Sequence, residues 1–285
     1  MPRIISVIAQ KGGVGKTTAS VHIATALANM GFKTLAIDWD TTQGNLTYAT
    51  IGELDPKSQK GICHIIASGG NLDEVIYPTK NPNLFVIPTE KMNARGNAYS
   101  IGTVLTQLGG EGYSLLKDLI NESVRIKDFH FILIDNCPNL GMETVASLIA
   151  SDYFLVPVQM KDFSITSIGQ TFKTAMTVKK AYNNELEPVG IFVSSTDNRI
   201  KQAKVALEEL KEFCKETEIP LLKTTIPSVS KFDFLPRNQQ TIFDVVAAKE
   251  RGHKDYLDLT KEILTKMKSI EASNINKNLN QSAGV

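Results

Sequence analysis

At 285 residues, with 42% hydrophobic and 21% charged side chains, the chain has the make-up of a folded globular protein, not of a disordered or coiled-coil one. A net charge of +1 gives no global pull toward nucleic acid or an anionic membrane, so any such binding has to come from a local patch. Three cysteines (Cys63, Cys137 and Cys214) are odd in number and form no C-x-x-C pair, which argues against a disulfide framework or a zinc site.

The chain opens on a short apolar run, residues 4–9, that reads as a buried strand and is too short for a signal peptide. No apolar stretch approaches the roughly 18 residues of a membrane span, so the expected location is the cytoplasm. Next comes Gln10-Lys11-Gly12-Gly13-Val14-Gly15-Lys16-Thr17-Thr18, and a helix-period segment continues over residues 17–30. Glycines between a strand and a helix let the backbone curl into a cradle of N–H donors, and the helix N-terminus adds partial positive charge. Such a loop suits a triphosphate, with Lys16 reaching the β- and γ-phosphates, Thr17 supplying a hydroxyl to Mg²⁺ and Thr18 closing the first turn.

A second strand, residues 34–37, leads into Asp38-Trp39-Asp40, and a third follows at 84–87. The Gly-rich stretch 93–112 reads as a flexible connection. The strand 129–134 ends on Asp135-Asn136-Cys137-Pro138, and the strand 153–158 runs into Gln159, with Lys161 beyond it as a surface charge. Helical periodicity over 164–182 and 200–215 separates further strands at 189–193 and 221–226, and an amphipathic helix is predicted over 253–270. Strands alternating with helices predict an α/β fold, a doubly wound and mostly parallel sheet with helices on both faces. Residues 1–270 read as a single domain, and the Asn-, Ser- and Gln-rich residues 271–285 read as a disordered polar tail. His22, His64, His130 and His253 are scattered, so packing or surface roles outrank metal binding.

The strict pattern G-x-x-x-x-G-K-[ST] fails at its first position, where Gln10 stands. Lys11-Gly12-Gly13-Val14-Gly15-Lys16-Thr17 instead resembles the deviant Walker A loop of the ParA/MinD family of P-loop NTPases, in which an additional lysine opens the loop. Asp38-Trp39-Asp40 resembles that family's switch I segment and Asp135-Asn136-Cys137-Pro138 its D-x-P-P segment, with Cys137 in place of the first proline. Thr41-Thr42 before Gln43-Gly44-Asn45 makes the switch one residue longer than D-x-D-P-Q-G-N and closer to MinD in length.

The resemblance implies an ATPase that uses ATP and Mg²⁺. Gly12, Gly13, Val14, Gly15, Lys16, Thr17 and Thr18 would hold the nucleotide, and Thr17, Asp40 and Asp135 would hold the metal, partly through water. Asp40 would position the attacking water, and Lys11 would reach the partner's nucleotide in an ATP-sandwich homodimer. It further implies non-specific DNA as a ligand, a ParB-type adaptor that stimulates hydrolysis, and a place on the nucleoid. Over residues 223–268 cations exceed anions by three, and Lys223, Lys231, Arg237, Lys249 and Arg251 are the candidate DNA contacts. The alternative is a MinD-like switch acting on a membrane or protein surface. It ranks lower because Leu259, Ile263, Leu264, Met267 and Ile270 suit packing on the sheet better than a membrane anchor.

Overall fold

The structure is a computed structural model that describes residues 1–55, 58–90, 101–161, 164–195 and 201–282. Its elements, in chain order, are β1 (Arg3–Val7), α1 (Lys16–Asn29), β2 (Thr34–Asp38), α2 (Asn45–Ile51), α3 (Ile62–Ser68), β3 (Tyr77–Pro78) and β4 (Leu84–Ile87). They continue with α4 (Ile101–Leu108), α5 (Gly110–Glu122), β5 (Phe131–Asp135), α6 (Met142–Ile149), β6 (Tyr153–Gln159) and α7 (Ile165–Ala181). The last are β7 (Glu187–Ser194), α8 (Lys201–Thr217), α9 (Ile242–Val245) and α10 (His253–Ser282).

Val-, Ile- and Leu-rich runs with no polar face can lie only in a sheet covered on both sides. The seven strands form one sheet in the order β3-β4-β2-β5-β1-β6-β7, parallel throughout except where the two-residue β3 pairs antiparallel with β4. Side chains leave each strand alternately to the two faces. Ile5, Val7, Leu133 and Leu155 pack with α1 and α10, whereas Ile132, Ile134, Phe154 and Val156 join the clusters on the opposite face. This is the doubly wound, mostly parallel architecture expected from the sequence. α1 is rich in small residues, and Ala19, Ala24, Ala26 and Ala28 are all buried, so its backbone lies close to the sheet. Its N-terminus therefore sits at the carboxyl ends of the central strands, the place where open α/β sheets bind ligands.

Three expectations are corrected. Residues 221–226 are not a ladder strand: Leu222 N–H and Ile226 N–H donate to Ile191 and Val193 of β7, but Lys223 N–H and Thr224 N–H donate to the Glu262 carboxylate on α10. A side chain has taken the donors that a ladder would need. Of the stretch 93–112 read as a flexible connection, residues 93–100 lie outside the described residues. From Ile101 on it is helical, because Ile101 and Leu105 bury an apolar stripe one turn apart. Finally, α10 runs on to Ser282, past the boundary at 270. Glu271 accepts hydrogen bonds from Arg3 Nε at 2.6 Å and from Tyr153 Oη at 3.1 Å, tying the first turn of the expected tail to β1 and β6. Residues 283–285 lie outside the described residues.

Candidate active site

The loop between β1 and α1 has two arms. Gln10, Lys11, Gly12 and Gly13 are exposed, whereas Val14 and Lys16 are buried. Two left-handed residues make the turn between them, Gly13 at φ +75° and Gly15 at φ +87°, a conformation costly for any residue bearing a Cβ. The inner arm is pinned from β7, where Ser194 Oγ donates to Val14 O at 2.7 Å. The outer arm touches α7, where Ser167 Oγ donates to Gln10 Oε1 at 3.3 Å.

Parallel register brings the chemistry together. β2 and β5 are neighbours with Asp38 opposite Asp135, and β5 lies beside β1 with Asp135 opposite Val7, so all three strand ends meet under the loop. Thr17 Oγ1 donates to Asp135 Oδ2 at 2.7 Å, and Ser20 Oγ lies 2.8 Å from Asp135 Oδ1 and 3.0 Å from Lys16 O. Burial pushes the Asp135 carboxyl upward, against the hydrogen bonds of Thr17 and Ser20 and the charge of Lys16. The Lys16 ammonium is lowered by the same burial, opposed by Asp135 and Asp40, and its Nζ donates to Lys11 O at 3.3 Å.

Asp38 and Asp40 divide their tasks. Asp38 Oδ2 accepts from Thr47 N at 2.7 Å and Thr47 Oγ1 at 2.6 Å, which fastens α2 to the sheet. Full burial, and then the neighbouring Asp135 charge, hold its carboxyl well above the usual range. Asp40 Oδ1 accepts from Thr42 Oγ1 at 2.6 Å and from the N–H groups of Thr42 and Gln43, each at 3.2 Å. The lengthened segment after Asp40 is thus folded around its carboxylate through Thr42 and Gln43.

The site's donor set suits a magnesium nucleotide. Thr17 spends its proton on Asp135, which leaves the hydroxyl lone pairs for a cation, and the Asp135 carboxylate offers hard oxygens of the kind Mg²⁺ prefers. Lys16, the glycine turn and the start of α1 supply the complement for phosphate.

The family model of an AAA domain matches residues 2–188. The sporulation initiation inhibitor protein Soj of Bacillus subtilis is 30% identical over 263 residues, covering 92% of this chain and 98% of that protein. The chain belongs to the ParA/MinD family of ATPases. A chromosome-partitioning ATPase Soj from Treponema pallidum is 28% identical over 269 residues, covering 93% of this chain and 98% of the relative. The fold matches that of the septum site-determining protein MinD from Pyrococcus horikoshii, solved with Mg-ADP, at a TM-score of 0.66 and 22% identity, over 92% of this chain and 96% of MinD.

Against this family pattern, Lys11, Lys16, Thr17, Thr18, Asp40 and Asp135 all lie on the loop or on the strand ends around it. Lys223, Arg237, Lys249 and Arg251 are exposed, 200 and more residues along the chain, and the Lys231 side chain lies outside the described residues. Arg251 Nε is 3.9 Å from Asp255, which offsets part of its charge. Sequence reasoning missed Ser20, although it follows Thr17 by three residues and so shares its helical face. It also missed Ser194 and the bond that the buried, packed His22 accepts from Ile242, contacts that come from elements 180 and 220 residues away. Cys137 is buried and its thiol is pushed up to about 12, by burial and then by Glu143, which fits a packing role.

Proposed function

We propose that this chain is an ATP-driven switch. It pairs into a homodimer with ATP sandwiched between the subunits and in that state binds duplex DNA without sequence preference. It thereby positions or segregates a plasmid, a chromosome or another large cargo. One observation carries the reading: the exposed outer arm presents Lys11 on the same loop whose inner arm buries Lys16 beside Thr17 and Asp135. An ordinary phosphate loop needs only the inner arm; a lysine on the exposed arm suits an anion held by a second subunit.

In this reading Gly12, Gly13, Val14, Gly15, Lys16, Thr17 and Thr18 would hold the triphosphate, and Thr17, Asp40 and Asp135 would hold Mg²⁺, partly through water. When bound, Mg²⁺ neutralises charge on the phosphate oxygens. Asp40 would orient the attacking water, whose oxygen bonds the γ-phosphorus as the bond to the β,γ-bridging oxygen breaks; ADP leaves with that oxygen, and the water's proton passes to the phosphate product or to solvent. The Mg-ADP of the Pyrococcus horikoshii MinD structure and the partitioning role of the Treponema pallidum relative support the nucleotide and the cargo class. A ParB-type adaptor would stimulate turnover, and residues 1–270 would act as one ATPase domain located on the nucleoid. Leu259, Ile263 and Met267 are buried in the core, which favours DNA over a membrane anchored by α10. No helix among the described residues is long and apolar enough to cross a membrane.

Anisotropy of a fluorescent duplex tests the proposal, with ATP, ADP or no nucleotide, across a salt series. Binding confined to ATP, weakening with salt and lost in Lys11→Ala, is the expected result. Equal weak binding in all nucleotide states, in a chain that binds ATP, would overturn the DNA reading and favour a membrane or protein surface.

A further inference from the structure

His22 lies on α1, five residues beyond Thr17, and is buried. Both of its ring nitrogens are engaged. Nε2 accepts from the backbone N–H of Ile242 at 3.1 Å, so it carries no proton. Nδ1 therefore carries the proton and donates to Thr18 O at 2.7 Å. The ring stacks on Tyr256 of α10 at 4.6 Å between centroids and meets Phe232 edge-on at 5.2 Å. One side chain thus joins the first turn of the loop helix to three separate pieces of the C-terminal region.

Those pieces are packed as a unit. A Cβ at Gly252 would lie 2.9 Å from Ile242 Cγ1 and 3.5 Å from Phe232 Cζ, so the backbone there packs closely on both, and Phe232 meets Tyr256 edge-on at 5.7 Å. The exposed cations Arg237, Lys249 and Arg251 lie on the same stretch of chain, between Phe232 and Tyr256. The Thr18 bond stays within α1, four residues back, so the link between elements is the Ile242 N–H bond together with the ring contacts to Tyr256 and Phe232.

We propose that His22 is a positioning residue that fastens the segment 232–256 to the loop helix, so that nucleotide engagement at Lys16 and Thr17 is relayed to the exposed Arg237, Lys249 and Arg251. The relay rests on the nucleotide-switch reading above, and its ligand at the far end is the DNA proposed there.

Hydrogen–deuterium exchange on the full chain, with and without Mg-ATP, tests the relay independently of DNA. The wild type is expected to gain protection over 232–256 on adding Mg-ATP. His22→Phe keeps a neutral ring of similar shape but removes both hydrogen bonds. It is expected to bind a fluorescent ATP analogue within about twofold of the wild type and to lose the protection change. His22→Gln, whose amide oxygen can again accept from Ile242, is expected to recover part of it and serves alone if the Phe variant fails to fold. The relay is wrong if 232–256 in the wild type does not respond to nucleotide, or if the variants respond as the wild type does. Duplex anisotropy on the same samples separates the two claims. A protected segment that binds no DNA overturns the DNA reading but keeps the relay, whereas DNA binding that stays ATP-dependent in His22→Phe overturns the relay alone.

Discussion

Acidification should destabilise this protein through His22. Burial holds the His22 imidazole at about 4 in the folded chain against an ordinary value of 6.5, with the Thr18 carbonyl and Asp244 only partly opposing it. A histidine lowered on folding favours the neutral form, so its stability contribution is complete above 6.5 and is lost as pH falls from 6.5 toward about 4. At about pH 5 the unfolded chain carries the proton almost fully and the folded chain hardly at all, and linkage gives a loss of about 2 kcal/mol relative to about pH 7. Carboxylates add their own slopes, so the test is a difference: urea unfolding of the wild type and of His22→Phe at about pH 7 and about pH 5. The variant is expected to be less stable at the higher pH, because Ile242 N–H and Thr18 C=O lose a partner, but to lose about 2 kcal/mol less on acidification. Equal losses in the two chains would refute the assignment of a neutral, doubly bonded ring.

Ser20→Ala removes one of the two hydroxyls that hold Asp135 and should weaken Mg-dependent nucleotide binding about tenfold, while Mg-free binding changes little, as titration with a fluorescent analogue would show. Gly252→Ala puts a Cβ on a residue at φ +85° and against Ile242, and should cost about 2 kcal/mol or more in denaturant unfolding. Glu271→Gln breaks an exposed pair with Arg3 and should cost about 1 kcal/mol or less of global stability, yet speed amide exchange in residues 271–282.

The strand and helix pattern was legible because burial on both faces leaves no choice of residue in β2, β5 and β6, and because helix periodicity in α1 and α7 is long enough to read. The loop was legible because phosphate binding demands glycine, lysine and threonine in adjacent positions. Residues 221–226 misled because an apolar run looks the same whether its N–H groups pair with β7 or with Glu262, 36 residues beyond its end. The polar stretch after residue 270 misled because Glu271 finds Arg3 and Tyr153 only once the sheet exists. Ser194, His22 and the paired burial of Asp38 with Asp135 were hidden for the same reason: each depends on a neighbour set by sheet order, which local pattern does not carry.

Sedimentation velocity tests most directly whether ATP gates the switch through pairing across Lys11. Wild type, Lys11→Ala and Asp40→Ala are compared with Mg-ATP, Mg-ADP and no nucleotide. A monomer in ADP is expected for all three. With ATP, the wild type is expected to form a dimer that reverts as ATP is consumed, Asp40→Ala a lasting dimer, and Lys11→Ala to stay a monomer. A Lys11→Ala chain that still binds ATP and dimerises as the wild type does would contradict pairing across Lys11.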